Sequence, residues 1–334
     1  RDYKVTGVQT CALPIWLPLA GAGGIIRICP FRVSCMPWKN WSAERIGVAL
    51  ALLAALGFSL KAIFVKLAYA IAPVDAVTLL SLRMILSLPA FLWVGIVASR
   101  SAPPLTRGDW LAVLLLGLLG YYGASMLDFL GLQYISAGFE RLILFTYPTL
   151  TLIIAVLWLG KRLGRREISA LLLSYAGIAL AFAHDLHVAG EADDVLVGAG
   201  YVLASSLCYA IYVAGSGPAI VRLGAARFTA LAMLVSTLAT QLHFVVVRPL
   251  SALLQPLPVL LYGVAMAVVS TVLPAFMQSA AVRRIGPERM VLIGTLGPML
   301  TIFFGWLVLD EPLSAAQLVG AVLVLAGVVL AGRG

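Results

Sequence analysis

The chain has 334 residues, 62% of them hydrophobic and only 11% charged, with a mean hydropathy of +1.04. A single soluble core could not bury that much apolar surface, so the composition excludes a soluble globular protein and requires a lipid bilayer as partner. The net charge of +9 would otherwise suggest nucleic acid, but the bases stand in short gaps between apolar runs instead of forming an aromatic-interleaved stripe, so no nucleic-acid partner is expected.

Residues 1–35 begin with "RDYKVTGVQTCALPIW", which has neither helical nor strand periodicity. We read this segment as a non-native leader of the kind adapter read-through leaves on metagenomic reading frames, with Met36 of "MPWKNWSAER" as the start. A signal peptide is the competing reading, resting on the apolar "ALPIWLPLAGAGGII". Cys11, Cys29 and Cys35 fall in this segment and Cys208 stands alone, so neither a disulfide framework nor a metal-binding CxxC pair is offered.

From Ile46 onward, ten windows reach or approach the roughly 20 apolar residues that cross a bilayer. They are 46–70, 76–98, 110–133, 142–160, 168–183, 195–216, 228–247, 259–281, 290–309 and 315–331, the fifth and tenth being the shortest. Cytoplasmic loops retain Lys and Arg. With the N-terminus inside, the inner loops hold Arg100, Arg107, Lys161, Arg162, Arg165, Arg166, Arg222, Arg227, Arg283, Arg284 and Arg289, whereas the outer loops hold only Arg141 and Arg248. Both termini are therefore expected to be cytoplasmic, in the cell membrane.

Shifting the chain by 148 residues lays "KAIFVK" from Lys61 on "YAIYVA" from Tyr209, and "AGFER" from Ala137 on "IGPER" from Ile285. After a slip of two, Pro148 meets Pro298, Lys161 meets Glu311 and Gly177 meets Gly327. These matches predict two halves of five helices, and an odd number per half makes the second an inverted copy of the first. The fold class expected is all-α integral membrane, with ten transmembrane helices in two inverted repeats spanning 45–186 and 195–334. The opposite charges of "WLGKRLGRRE" and "WLVLDEPLSAAQ", equivalent turns in the two halves, are what inversion predicts.

Three motifs carry a resemblance: "SLRMILSLPAF", "LGLQYISAGFERLILFTYPTLTLIIAVLWLGKRL" and "GTLGPMLTIFFGWLVLDEPLSAAQLVGAVLVLAG". Together with the ten-helix duplication they resemble the drug/metabolite transporter superfamily with two tandem EamA-type domains, over about residues 45–334. The resemblance implies a secondary transporter of small organic molecules, often an exporter, with a central cavity between the halves. Members commonly carry an acid at the end of the fourth helix, where this chain has Lys161.

Ionisable groups at membrane depth are costly and mark either a function or a pair. Lys61, Lys66, Arg83 and Asp128 fall in the outer half of the first three helices and could share one vestibule. Asp128 reads as the only acid inside a span. It either neutralises Lys61 or Arg83, or serves proton coupling or a substrate amine. Lys66 is near enough to the helix end to snorkel. In the repeat alignment Tyr209 and Tyr212 stand at Lys61 and Phe64, and either line the substrate path or pack a helix interface. Gln241 and His243 are candidates from the seventh helix. Pro148 and Pro298 break the paired fourth and ninth helices. Gly117, Gly120, Gly123 and Ala124 read as a close-packing face.

A membrane-embedded enzyme is the main alternative, and a channel a third. The sequence has no HExxH, GxSxG or phosphate-loop motif, His184 and His187 read as solvated loop residues, and nothing resembles a selectivity filter. No catalytic residue, cofactor or metal is expected. Three cations against one acid lean towards a carboxylate-bearing metabolite. A homodimer and proton coupling stay open.

Overall fold

The computed structural model describes residues 41–100, 102–159, 165–189 and 192–332. The leader at 1–35, its three cysteines, Lys161 and Arg162 lie outside the described residues, as do the side chains of His184 and His187. The described chain runs as α1 (Trp41–Ile71), α2 (Ala76–Ser99), α3 (Arg107–Gly117), α4 (Ala124–Gly131), α5 (Ala137–Leu144), α6 (Tyr147–Leu159), α7 (Arg165–Ala189), α8 (Ala192–Leu223), α9 (Ala225–Val247), α10 (Leu257–Ala267), α11 (Leu273–Gly294), α12 (Leu296–Leu309) and α13 (Ala315–Gly332). Among the described residues there is no strand.

Local chemistry sets the boundaries. α1 ends just before Pro73, and Asp75 caps α2 by accepting from the amides of Val77 and Thr78, both at 3.1 Å. Thr106 and Asp109 close a capping box at the start of α3. Ser136 caps α5, accepting from Phe139 at 3.1 Å. This cap moves the fourth span forward: it begins at Ala137, not at Leu142, and carries Glu140 and Arg141 into the membrane helix. Gly286, at φ 81°, breaks the α11 stretch.

Two π-helical turns interrupt long helices. Leu118–Gly123 joins α3 to α4, and Val268–Val272 joins α10 to α11. They occupy overlapping positions under the 148-residue shift. Each wider turn leaves carbonyls to be satisfied elsewhere, and in the second the Thr271 hydroxyl donates to the Met266 carbonyl at 2.9 Å.

Among the described residues, seven helical stretches are long and apolar enough to cross a bilayer: Glu44–Ile71, Ala76–Ser99, Arg107–Gly131, Ala137–Ile154, Ala192–Leu223, Ala225–Val247 and Leu257–Gly286. Three shorter apolar helices are Ile168–Ala183, Leu296–Leu309 and Ala315–Leu330. Leu, Ile, Val and Trp side chains face outward along them, Trp93, Leu172 and Leu238 being about two-thirds exposed or more. That outer surface suits hydrocarbon, where every backbone polar group must be satisfied within the helix.

The helices pair across the two halves. α1 packs on α10 and α11, α8 on α4, α2 on α9, and α7 on α13. In the last pair Gly177 abuts Gly320 while Gly327 abuts Ala170, so the helices run antiparallel and the same contact recurs from each side. α2 and α9 are antiparallel too, with Gly95 near Ala230 and Ser81 bonded to Gln241. Side chains at the glycine contacts would meet backbone oxygens, so small residues set how closely α7 and α13 approach.

Candidate functional site

A buried ionic cluster lies between α1, α4 and α5, in the half of the bundle near the α1–α2 turn. The Lys61 ammonium stands 2.6 Å from Asp128 Oδ2 and 3.5 Å from Glu140 Oε1. Lys61 is 15% exposed, Asp128 2% and Glu140 0%. The two carboxylates face the same ammonium from α4 and α5. Asp128 Oδ1 and Glu140 Oε2 have no hydrogen-bond partner among the described residues. Asp128 is thus not the only acid inside a span, as the sequence suggested. Glu140 was missed because the fourth helix starts earlier, and the Ser136 cap is the signal that gives it away.

Of the other expected cations, Lys66 does not join this cluster. It reaches the end of its helix, donates to the Ile135 carbonyl at 2.7 Å and stands 3.8 Å from Glu311 Oε1. Glu311 belongs to the turn between α12 and α13, and its Oε1 accepts from the Ala137 amide at 2.9 Å. A carboxylate of the second half therefore caps the first turn of α5 in the first half. Beside it opens a cavity of about 330 Å³ lined by Lys66, Tyr69, Pro73, Leu132 and Gln133 among others. Arg83 donates through Nε to the Thr271 hydroxyl at 3.0 Å and lies over the Phe129 ring at 5.6 Å. The second π turn thereby presents a hydroxyl to a buried arginine.

Tyr209 and Tyr212 stack at 5.6 Å within a run of rings. Tyr147 meets Tyr209 edge-on at 4.9 Å, and the Tyr121 and Tyr212 hydroxyls are 3.0 Å apart. The ring of Tyr212 occupies the space a side chain on Gly120 would need, so the glycine run in the first π turn makes room for an aromatic of α8. Gln241 accepts from the Ser81 hydroxyl at 2.7 Å, and His243 Nδ1 is 2.9 Å from the Tyr122 hydroxyl. Both lie between α9 and its neighbours, apart from the ionic cluster.

Pro148 and Pro298 lie in the first turns of α6 and α12, directly after the interruptions at Phe145–Thr146 and Thr295. A proline at the start of a helix forfeits no bond the helix would have made, so the break precedes each proline and does not run through mid-helix. The two breaks face each other: Phe145 packs near Gly297, and the Ser59 hydroxyl donates to the Gly297 carbonyl at 3.0 Å. At the opposite end of the bundle, Asp109 pairs with Arg222 at 3.1 Å and Glu44 with Arg289. Among the described residues, no group of three or more His, Cys, Asp or Glu side chains could hold a metal.

A bundle of apolar helices, closed at both ends by polar ties and holding an ionic cluster at its heart, defines a multi-pass membrane protein of the solute-transporter class. The chain belongs to the EamA-like transporter family, whose model matches it twice, over residues 45–183 and 196–333. It is similar to the uncharacterized transporter YcbK of Bacillus subtilis (strain 168), with 31% identity over 289 residues, covering 82% of this chain and 88% of that one. The uncharacterized transporter YyaM of the same organism is 25% identical over 235 residues, covering 67% and 74%. A solved crystal structure superposes with a TM-score of 0.59 at 17% identity, over 87% of this chain and 96% of the other, a likeness of fold alone.

Proposed function

We propose that this transporter carries a small organic metabolite or drug-like solute across the cytoplasmic membrane by alternating access, in the direction of export. In this reading all ten apolar segments cross the bilayer, both termini are cytoplasmic, and the chain comprises two inverted five-helix repeats, residues 45–186 and 195–334. The antiparallel packing of α7 on α13 and of α2 on α9 supports the inversion, since repeats related by an axis along the membrane normal would pair these helices in parallel. The repeated π turns and the paired breaks before Pro148 and Pro298 support it as well.

The observation that carries the mechanism is the Lys61–Asp128–Glu140 cluster, buried within membrane-spanning helices and sharing more acceptors than donors. A structural ion pair needs one acid. A second one held against it provides a proton-binding site whose occupancy changes the charge of the solute path. Arg83, Arg141 and Tyr69 surround the pair from α2, α5 and α1 and share its field. The Glu311 cap on α5 and the Lys66 contact then form an outer gate between halves, with Asp109–Arg222 and Glu44–Arg289 as inner ties. Tyr209 and Tyr212 line the path between them.

Reconstitution in liposomes with a panel of labelled metabolites tests the reading. Saturable flux with counterflow for a subset of the panel is expected. Linear, unselective flux would indicate a pore, and no flux for any member would remove the carrier reading.

A further inference from the structure

In the half of the bundle near the α1–α2 turn, Lys61, Lys66, Arg83 and Arg141 stand with the acids Asp128, Glu140 and Glu311, while Asp75 of the turn itself pairs with Arg248 at 3.2 Å. Lys61 is paired with Asp128 and Glu140, and Lys66 with Glu311. Neither Arg83 nor Arg141 has a carboxylate within 4.0 Å among the described residues. Arg83 still donates to Thr271. Arg141 is 7% exposed, its Nε has no hydrogen-bond partner among the described residues, and its guanidinium lies over the Phe145 ring at 5.7 Å. Asp128 and Glu140 share the field of Arg141 without forming an ion pair with it, so the buried guanidinium keeps an open donor at Nε for a further acceptor.

What lies beyond Arg141 indicates what that acceptor is attached to. Phe145 stands at the interruption between α5 and α6, 6.3 Å from Tyr147, which meets Tyr209 of the second half. The guanidinium therefore heads a run of aromatic rings that crosses from one half to the other. We infer that Arg141 docks the carboxylate of the transported solute, whose apolar or aromatic body lies along Phe145, Tyr147 and Tyr209. A guanidinium fork matches a carboxylate through two parallel hydrogen bonds. Asp128 and Glu140, within coulombic range of Arg141, disfavour a more highly charged anion such as phosphate. The inference rests on the carrier reading and assigns the solute class within it.

The test is thermal unfolding of the purified full chain in detergent against a panel of organic monocarboxylates, aliphatic to indole-sized, each with its amide and amine analogue, plus inorganic phosphate. Carboxylates are expected to raise Tm where the analogues and phosphate do not. Arg141→Gln is expected to weaken the carboxylates' apparent affinity about ten- to hundredfold, the size of a lost charge-assisted hydrogen bond. Arg141→Lys is expected to recover part of it, as a point charge without the fork. Carboxylate preference that survives Arg141→Gln would overturn the inference. So would stabilisation by phosphate, amines or amides in place of carboxylates, or by no carboxylate at all. Flux of the same panel in proteoliposomes separates the two readings: saturable flux of other solutes leaves the carrier standing while the anion site falls, and no flux of any solute removes the carrier itself.

Discussion

Lys61→Met keeps the length and apolar volume of the side chain while deleting the ammonium that bridges Asp128 at 2.6 Å and Glu140 at 3.5 Å. It leaves two acids, 2% and 0% exposed, with no cation in ion-pair range among the described residues. Removing one partner of a buried pair destabilises by about 3–5 kcal/mol, mostly from the charge left behind. Asp128→Asn is milder, because Glu140 still faces the lysine and an amide oxygen still accepts its hydrogen bond; about 1–2 kcal/mol is expected. The double variant should recover part of the loss, with a coupling of about 1.5–3 kcal/mol. Thermal unfolding of the four proteins in the same detergent gives the cycle. Strictly additive effects, or a Lys61→Met protein at least as stable as Asp128→Asn, would refute the cluster as a coupled unit.

Gly320→Ala places a Cβ 2.5 Å from the Gly177 carbonyl oxygen, a backbone atom that cannot move aside without parting α7 from α13. A loss of about 2–3 kcal/mol is expected, the upper range for overpacking. Gly200→Ala in α8 meets nothing within 4 Å and should stabilise by up to about 1 kcal/mol on helix propensity, read in the same unfolding assay. Glu311→Ala removes the carboxylate that caps α5 at Ala137, worth about 1.5–3 kcal/mol as a charge-assisted bond. Labelling of a Gln133→Cys reporter by an impermeant maleimide should then speed up several-fold, and an unchanged rate would deny the gate.

The helices were legible because hydrocarbon imposes one rule on a long stretch: about 20 apolar residues, with punctuation where bases collect. Breaks between helices were harder. "QYISAGFERLIL" reads as loop and then span if hydropathy alone is averaged, since Glu140 and Arg141 depress it. The capping hydroxyl of Ser136 overrides that average locally and starts the helix at Ala137. The π turns were beyond reach, because Leu118–Gly123 depends on Tyr212 filling the space over Gly120, ninety-odd residues away in sequence. Lys61 and Asp128 were visible as charges in apolar runs and came together. Their third partner and Arg141 were not, and neither was the Glu311 cap, which exists only once the two halves are packed. Lys66, Arg83, Gln241 and His243 were equally visible by type, yet each makes its hydrogen bond to a polar neighbour other than Asp128.

The most direct measurement is solute flux into proteoliposomes under an imposed pH gradient, wild type beside Asp128→Asn. Net flux in the wild type is expected to follow the gradient and reverse with it. In Asp128→Asn, which loses one of the two carboxyls, flux should become insensitive to the gradient or cease. Wild-type flux indifferent to the gradient, or an Asp128→Asn protein with unchanged rate and pH dependence, would contradict a proton-binding role for the Lys61–Asp128–Glu140 cluster.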